Sequence, residues 1–164
     1  MQFRKIKVAM AVFCLIGGTI TWAADAASQA DRAFVAKVSQ GGLYEVEAGK
    51  MAAMRGTVPV IKNFGALESH DHEAVNSGLK HIAGMTGVSI TPGLNAEFSQ
   101  RLAKLKAVPA AQFDSYYVND MKQIHNKDEG LFAQQAKEGS APYQQFAQQT
   151  AVLVNAHLGW LNTL

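Results

Sequence analysis

Apolar side chains recur along this chain at three- and four-residue spacings, and no segment alternates apolar and polar residues with period two. Over residues 31–54, Phe34, Val35, Val38, Gly42, Val46, Gly49 and Ala52 fall on one side of a helix, with Ser28 or Asp31 as cap. The glycines in that stripe lower helix propensity but let a second backbone come close. Arg55 to Val58 makes a turn, and Pro59 suits the first position of a second helix reaching about residue 86. The apolar stripe of this second helix is Val60, Ile61, Phe64, Leu67, Val75, Leu79, Ile82 and Ala83. Gly84, Gly87 and Pro92 break the pattern. Residues 87–109 form a long connection, with a short amphipathic helix over 95–106 through Phe98, Leu102 and Leu105. Pro109 begins a third long helix to about residue 138, and Pro142 opens a fourth after Gly139 and Ser140. The pattern predicts an all-α fold, an antiparallel bundle of four long helices with a short extra helix between the second and third.

Polar residues interrupt the inward stripes in a way that matters for chemistry. Glu45 falls inside the stripe of the first helix, and Asp71 inside that of the second with His72 near its edge. Asp128 sits centrally in the third, with His125 one turn earlier, and His157 lies on the apolar face of the fourth. His70 and His81 project to the opposite side, as solvated groups. At about 1.5 Å per residue, Glu45 and His72 lie roughly 18–20 Å from the first turn, and His125 and His157 roughly 20–24 Å from the last. All four therefore come to the middle of the bundle. Buried and unpaired, such groups cost several kcal/mol each, so they need a metal, one another, or water.

Composition narrows the setting. The chain has 164 residues and is 48% hydrophobic and 17% charged, which suits one compact domain. Arg4, Lys5 and Lys7 precede an apolar run over residues 8–20, and small residues follow at Ala23, Ala24, Ala26 and Ala27. Residues 1–26 are predicted to be a secretory signal peptide, cleaved between about 23 and 26, leaving a single domain over 27–164 in the periplasm or outside the cell. Of the 15 basic and 13 acidic residues, three and one fall in that segment, leaving 12 of each. The near-neutral remainder has no basic stripe for nucleic acid and no predicted membrane-spanning segment. Cys14, the lone cysteine, belongs to the apolar run, so the mature chain has no disulfide, thiolate nucleophile or cysteine-held metal.

No nucleophile elbow or phosphate-binding loop is present. Met121 and His157 are residues that a b-type haem would use, but methionine and histidine at helical spacing are ordinary core, and no haem is expected. His125-x-x-Asp128 places two metal-ligand types at i and i+3 on one helix face. The candidate metal ligands are Glu45, Asp71, His72, His125, Asp128 and His157, with Asp71 and Asp128 either binding directly or orienting the imidazoles. Imidazole and carboxylate suit zinc, copper, iron or manganese without selecting among them. The other arrangement consistent with the pattern is a hydrogen-bonded polar layer that fixes helix register in a structural module, its outer surface free for an envelope protein partner.

Several stretches carry a resemblance in order along the chain. They are Gln40-Gly41-Gly42-Leu43-Tyr44-Glu45-Val46-Glu47-Ala48-Gly49-Lys50, then Asp71-His72 with Asn76 and Leu79-Lys80, then His125-Asn126-Lys127-Asp128 with Leu131-Phe132, and finally His157-Leu158. Through these the chain resembles bacterial exported domains of unknown function that are ferritin-like in fold, many of which carry an outer-membrane label. The resemblance covers nearly all of residues 30–164. It implies a ferritin-like antiparallel four-helix bundle with a long connection after the second helix, and it puts weight on Glu45, His72, His125 and His157. It implies no established activity. Where the family commonly has a hydrophobic residue, this chain has Glu68, one turn before His72, either a further ligand or a local polar neighbour. The paired Glu-x-x-His motifs of di-iron ferritins are absent.

Overall fold

The structure, a computed structural model, describes residues 26–164, and the predicted signal segment lies outside the described residues except for Ala26. Five helices follow in order: α1 Gln29–Arg55, α2 Pro59–Met85, α3 Ala96–Ala107, α4 Ala110–Glu138 and α5 Ala141–Leu161. No strand occurs among the described residues. Ser28 begins α1 with a capping box, its hydroxyl accepting from the Asp31 backbone while the Asp31 carboxylate accepts from the Ser28 backbone N–H. Pro59 stands at the start of α2, and Asn95 caps α3 by accepting from the Phe98 backbone N–H.

The ends of the helices fix the topology. Thr57, in the α1–α2 turn, donates to the Asp114 carboxylate near the start of α4. Arg55 donates to the carbonyls of Leu105, Lys106 and Val108, so α3 also finishes at that end. At the opposite end, Thr86 bonds to Tyr143, and Gln135 late in α4 donates to Asp31 early in α1. α2 and α4 therefore run the same way, and the segment holding α3 climbs the length of the bundle between them. Neighbouring long helices are all antiparallel. Gln40 pins the climbing segment by donating to the Gly93 carbonyl and accepting from the Asn95 backbone N–H; Gly93, at φ +78°, adopts a conformation that other residues rarely take.

α1 is buried on more sides than its stripe predicts. Tyr44, Ala48 and Met51, outside that stripe, are fully or nearly fully buried because α3 covers them. Tyr44 donates to Asp120, and Arg101 of α3 donates to the same carboxylate at 2.8 Å while lying over the Tyr44 ring. The inward face of α2 is also rotated from expectation. Its buried positions run Ile61, Phe64, Gly65, Glu68, Ser69, His72, Leu79 and Ala83, so Asp71 sits at the edge and His72 inside. The rotation follows from a close backbone seam. A Cβ on Gly65 would stand 2.7 Å from the Gly49 carbonyl oxygen, and one on Gly49 would stand 2.6 Å from the Gly65 oxygen.

That seam makes a direct prediction. Gly65→Ala is expected to destabilise by about 1–3 kcal/mol through overpacking, even though alanine is the better helix former. Gly130→Ala, on exposed α4 where an added Cβ meets nothing within 4 Å, should instead stabilise by up to about 1 kcal/mol. Urea melts of the two variants against wild type check the opposite signs; equal shifts would mean the α1–α2 seam is not tight.

Candidate metal centre

Midway along the bundle four donor atoms come together. Glu68 and His72 come from α2, His125 from α4 and His157 from α5, and one ligand atom from each lies within 4.8 Å of all the others. Glu68 and His72 are one turn apart, which aligns them on one face. All four are sealed from solvent, at 0% exposure for Glu68 and His125, 2% for His157 and 3% for His72. Glu68 Oε1 lies 3.2 Å from His72 Nε2 and 3.3 Å from His125 Nε2, and Glu68 Oε2 lies 2.9 Å from His157 Nδ1. His125 Nε2 and His157 Nδ1 are 3.3 Å apart.

These separations suit a common ion. Four ligands at bond lengths of about 2.0–2.1 Å in a tetrahedron stand about 3.3 Å from one another. Neither Glu68 oxygen and neither His72 nitrogen finds an aligned hydrogen-bond partner, although each is buried. Buried polar atoms left unaligned at such short range are costly as they stand, and an ion between them would satisfy their lone pairs together.

The opposite nitrogen of each imidazole faces an oxygen. His125 Nδ1 is 3.0 Å from the Met121 carbonyl, which fixes that nitrogen as the N–H donor and turns Nε2 inward as an acceptor. His157 Nε2 is 3.0 Å from the Asp71 carboxylate, and His72 Nδ1 is 3.1 Å from Glu45 Oε2. Such outer carboxylates and carbonyls orient metal-binding histidines.

The six predicted ligand residues thus divide. His72, His125 and His157 meet at the centre. Glu45 stays one layer out, behind His72 and 3.7 Å from His125 Nδ1. Asp71 is 21% exposed and reaches the centre only through His157. Asp128, partly buried, touches none of the four central residues by hydrogen bond or ion pair. The carboxylate at the centre is Glu68. The sequence signal for it was spacing: residues 61, 65, 68, 72 and 79 keep a three- and four-residue rhythm that Leu67 and Val75 obscure. His70 and His81 are exposed.

The electrostatics assign different charges to similar groups. Burial disfavours the Glu68 anion, but the close approach of His157 and His72 outweighs it, so Glu68 sits well below the usual carboxylate range. Burial opposes a charge on His72 as well, yet Glu45 and Glu68 push it up to about 9. His157 is raised against burial by Glu68 and Asp71. Burial dominates elsewhere, lowering His125 to about 4 and raising Glu45 to about 8 and Asp128 to about 6. Without metal, the centre is one carboxylate held between His72 and His157, whose protons a metal would displace, beside a neutral His125 whose Nε2 is already an acceptor.

An all-helical domain with a buried Glu-His₃ cluster is the class that fold and site define. The chain belongs to the family described as Domain of unknown function (DUF4142), which matches residues 19–164. In fold it is similar to the "Crystal structure of DUF305 fragment from Deinococcus radiodurans", with a TM-score of 0.72 at 13% identity over 85% of this chain and 99% of that one. No curated protein matches the chain. None of the described helices is long and apolar enough to cross a membrane.

Proposed function

We propose that the chain is an exported, ferritin-like helical bundle that holds one transition-metal ion through Glu68, His72, His125 and His157, in envelope metal handling or stress protection. The observation that carries this reading is the set of four buried donor atoms, from three helices, within 4.8 Å of one another. Support for the ferritin-like arrangement comes from the long climbing connection between α2 and α4, the single crossover of that bundle class. The basic and apolar N-terminal residues support export.

Four protein donors in a sealed core leave no open coordination position of the kind catalytic zinc keeps, so the reading is of holding an ion rather than of catalysis. Zinc, copper, iron and manganese are the candidates by donor type.

Metal content of the purified protein, with thermal melts in each of these metals, tests the proposal. At a metal concentration near a thousand times Kd, wild type should gain about 4 kcal/mol of stability. The double variant His125→Ala with His157→Ala should gain almost nothing. Equal gains in both, or none in wild type, leave the alternative in place: a structural module whose Glu68–histidine ion pairs set helix register.

A further inference from the structure

A cleft of about 370 Å³ opens between α1, α3 and α4, and Gly41, Ile124 and Asp128 line it. Behind Gly41 lies the Glu45 carboxylate. A Cβ built on Gly41 would stand 3.9 Å from Glu45 Oε2 and would meet no other residue within 4 Å. Glu45 in turn lies 3.1 Å from His72 and 3.7 Å from His125, on the outer sides of those rings. Asp128, one turn from His125 and partly buried, lines the cleft, and the charges of His72 and Glu68 reach it.

Two other approaches are obstructed. The α1–α2 seam is closed on one side by the Gly49–Gly65 backbone contact and on the other by Asn76, whose Oδ1 would stand 2.2 Å from a Cβ on Gly42. On the α2–α5 side, the Asp71 carboxylate is already bonded to His157. Of the cations lining the cleft, Arg101 is matched by Asp120 at 2.8 Å, and Lys37 and Lys127 are exposed, where salt screens them.

We propose that this cleft is the loading route of the metal centre. Beyond the exposed Glu97, Asp128 is the partly buried carboxylate that an arriving divalent cation meets in the cleft, and Glu45 is the gate that passes it to His72 and His125. The inference rests on the metal reading and goes beyond it by naming the path and two positioning residues outside the donor set.

Gly41→Leu tests the route. Its Cβ fits without displacing anything, and leucine is a better helix former, so the variant should fold. Its side chain would fill the inner end of the cleft. A plug on a path slows uptake and release by the same factor and leaves Kd unchanged, whereas damage to the site changes Kd. Stopped-flow uptake of Co²⁺, read by visible absorption, is expected to slow by about tenfold or more with Kd unaltered. Gly159→Leu, on the outer face of α5 where a Cβ meets nothing within 4 Å, should load at the wild-type rate. Asp128→Asn should also slow uptake, and a wild-type rate there removes Asp128 from the path. If wild type binds Co²⁺ at equilibrium and Gly41→Leu loads equally fast, the route is wrong and the metal reading stands. If wild type binds no metal ion in the equilibrium melts, Co²⁺ included, both fall together.

Discussion

Glu68→Gln is expected to weaken metal binding by at least about a hundredfold, on the order of 3 kcal/mol, while the bundle stays folded. The amide keeps the shape of the side chain but removes the only carboxylate among the described residues that touches all three central imidazoles. Breaking a buried charge pair by removing one partner usually costs about 3–5 kcal/mol, because the other charge is stranded. Here the stranded partners can shed protons. Once Glu68 no longer holds His72 and His157 charged, both can become neutral near pH 7, so the metal-free variant should be destabilised more at pH 5 than at pH 8. Calorimetric metal titration together with melts in chelator at the two pH values measures both halves. A Glu68→Gln protein that takes up metal as tightly as wild type would place the ion elsewhere.

That Glu68 carries the largest expected effect shows where sequence reading reached and where it stopped. Helix spans followed from period and punctuation: Pro59, Gly139 and Pro142 fall at helix ends, and the predicted limits lie within a few residues of those observed. Glu45, His72, His125 and His157 were legible as inward groups because each interrupts an apolar stripe, and all four are buried. Glu68 is legible in the sequence only as a further ligand or a local polar neighbour of His72, since Leu67 beside it and Val75 beyond it draw the apparent stripe toward Asp71. What turned α2 back was the Gly49–Gly65 contact, a pairwise fit between two helices that no single-helix period contains. The burial of Tyr44 was hidden for a similar reason. It depends on α3 returning over α1, held by the Arg101–Asp120–Tyr44 contacts, and those span segments far apart in sequence.

In chelator, the stability of the protein should fall as pH rises from about 6.5 to 9, against the trend metal imposes. His72 is held at about 9 in the folded chain. Its contribution is therefore complete below the ordinary histidine value near 6.5 and is lost as pH climbs through 9. His157, raised in the same direction, adds to that loss. Glu45, raised to about 8 by burial, keeps a proton in the folded state that the unfolded chain gives up above about 4.5, so it too costs stability as pH rises to 8. The acid side has the opposite sign. His125, lowered to about 4, resists a proton that the unfolded chain accepts below 6.5, and the depressed Glu68 loses its contribution as pH drops below the usual carboxylate range. Between about pH 4.5 and 6.5 the His125 gain is offset by the losses at Glu45 and at Asp128, which burial raises to about 6. Metal-free stability should therefore be level or falling there and decline most steeply above about 6.5, with the His72 contribution alone on the order of 3 kcal/mol. Metal competes with protons for the same nitrogens, so the stabilisation it confers should grow from pH 6 to pH 9. The two melting curves, with and without metal, diverge as pH rises. His72→Gln, which keeps a polar group but cannot titrate, should flatten the metal-free decline. A wild-type curve in chelator that is level or rising between pH 6.5 and 9 would mean that His72 and Glu45 do not hold those protons, and the imidazoles would then be neutral and ready for metal without displacement.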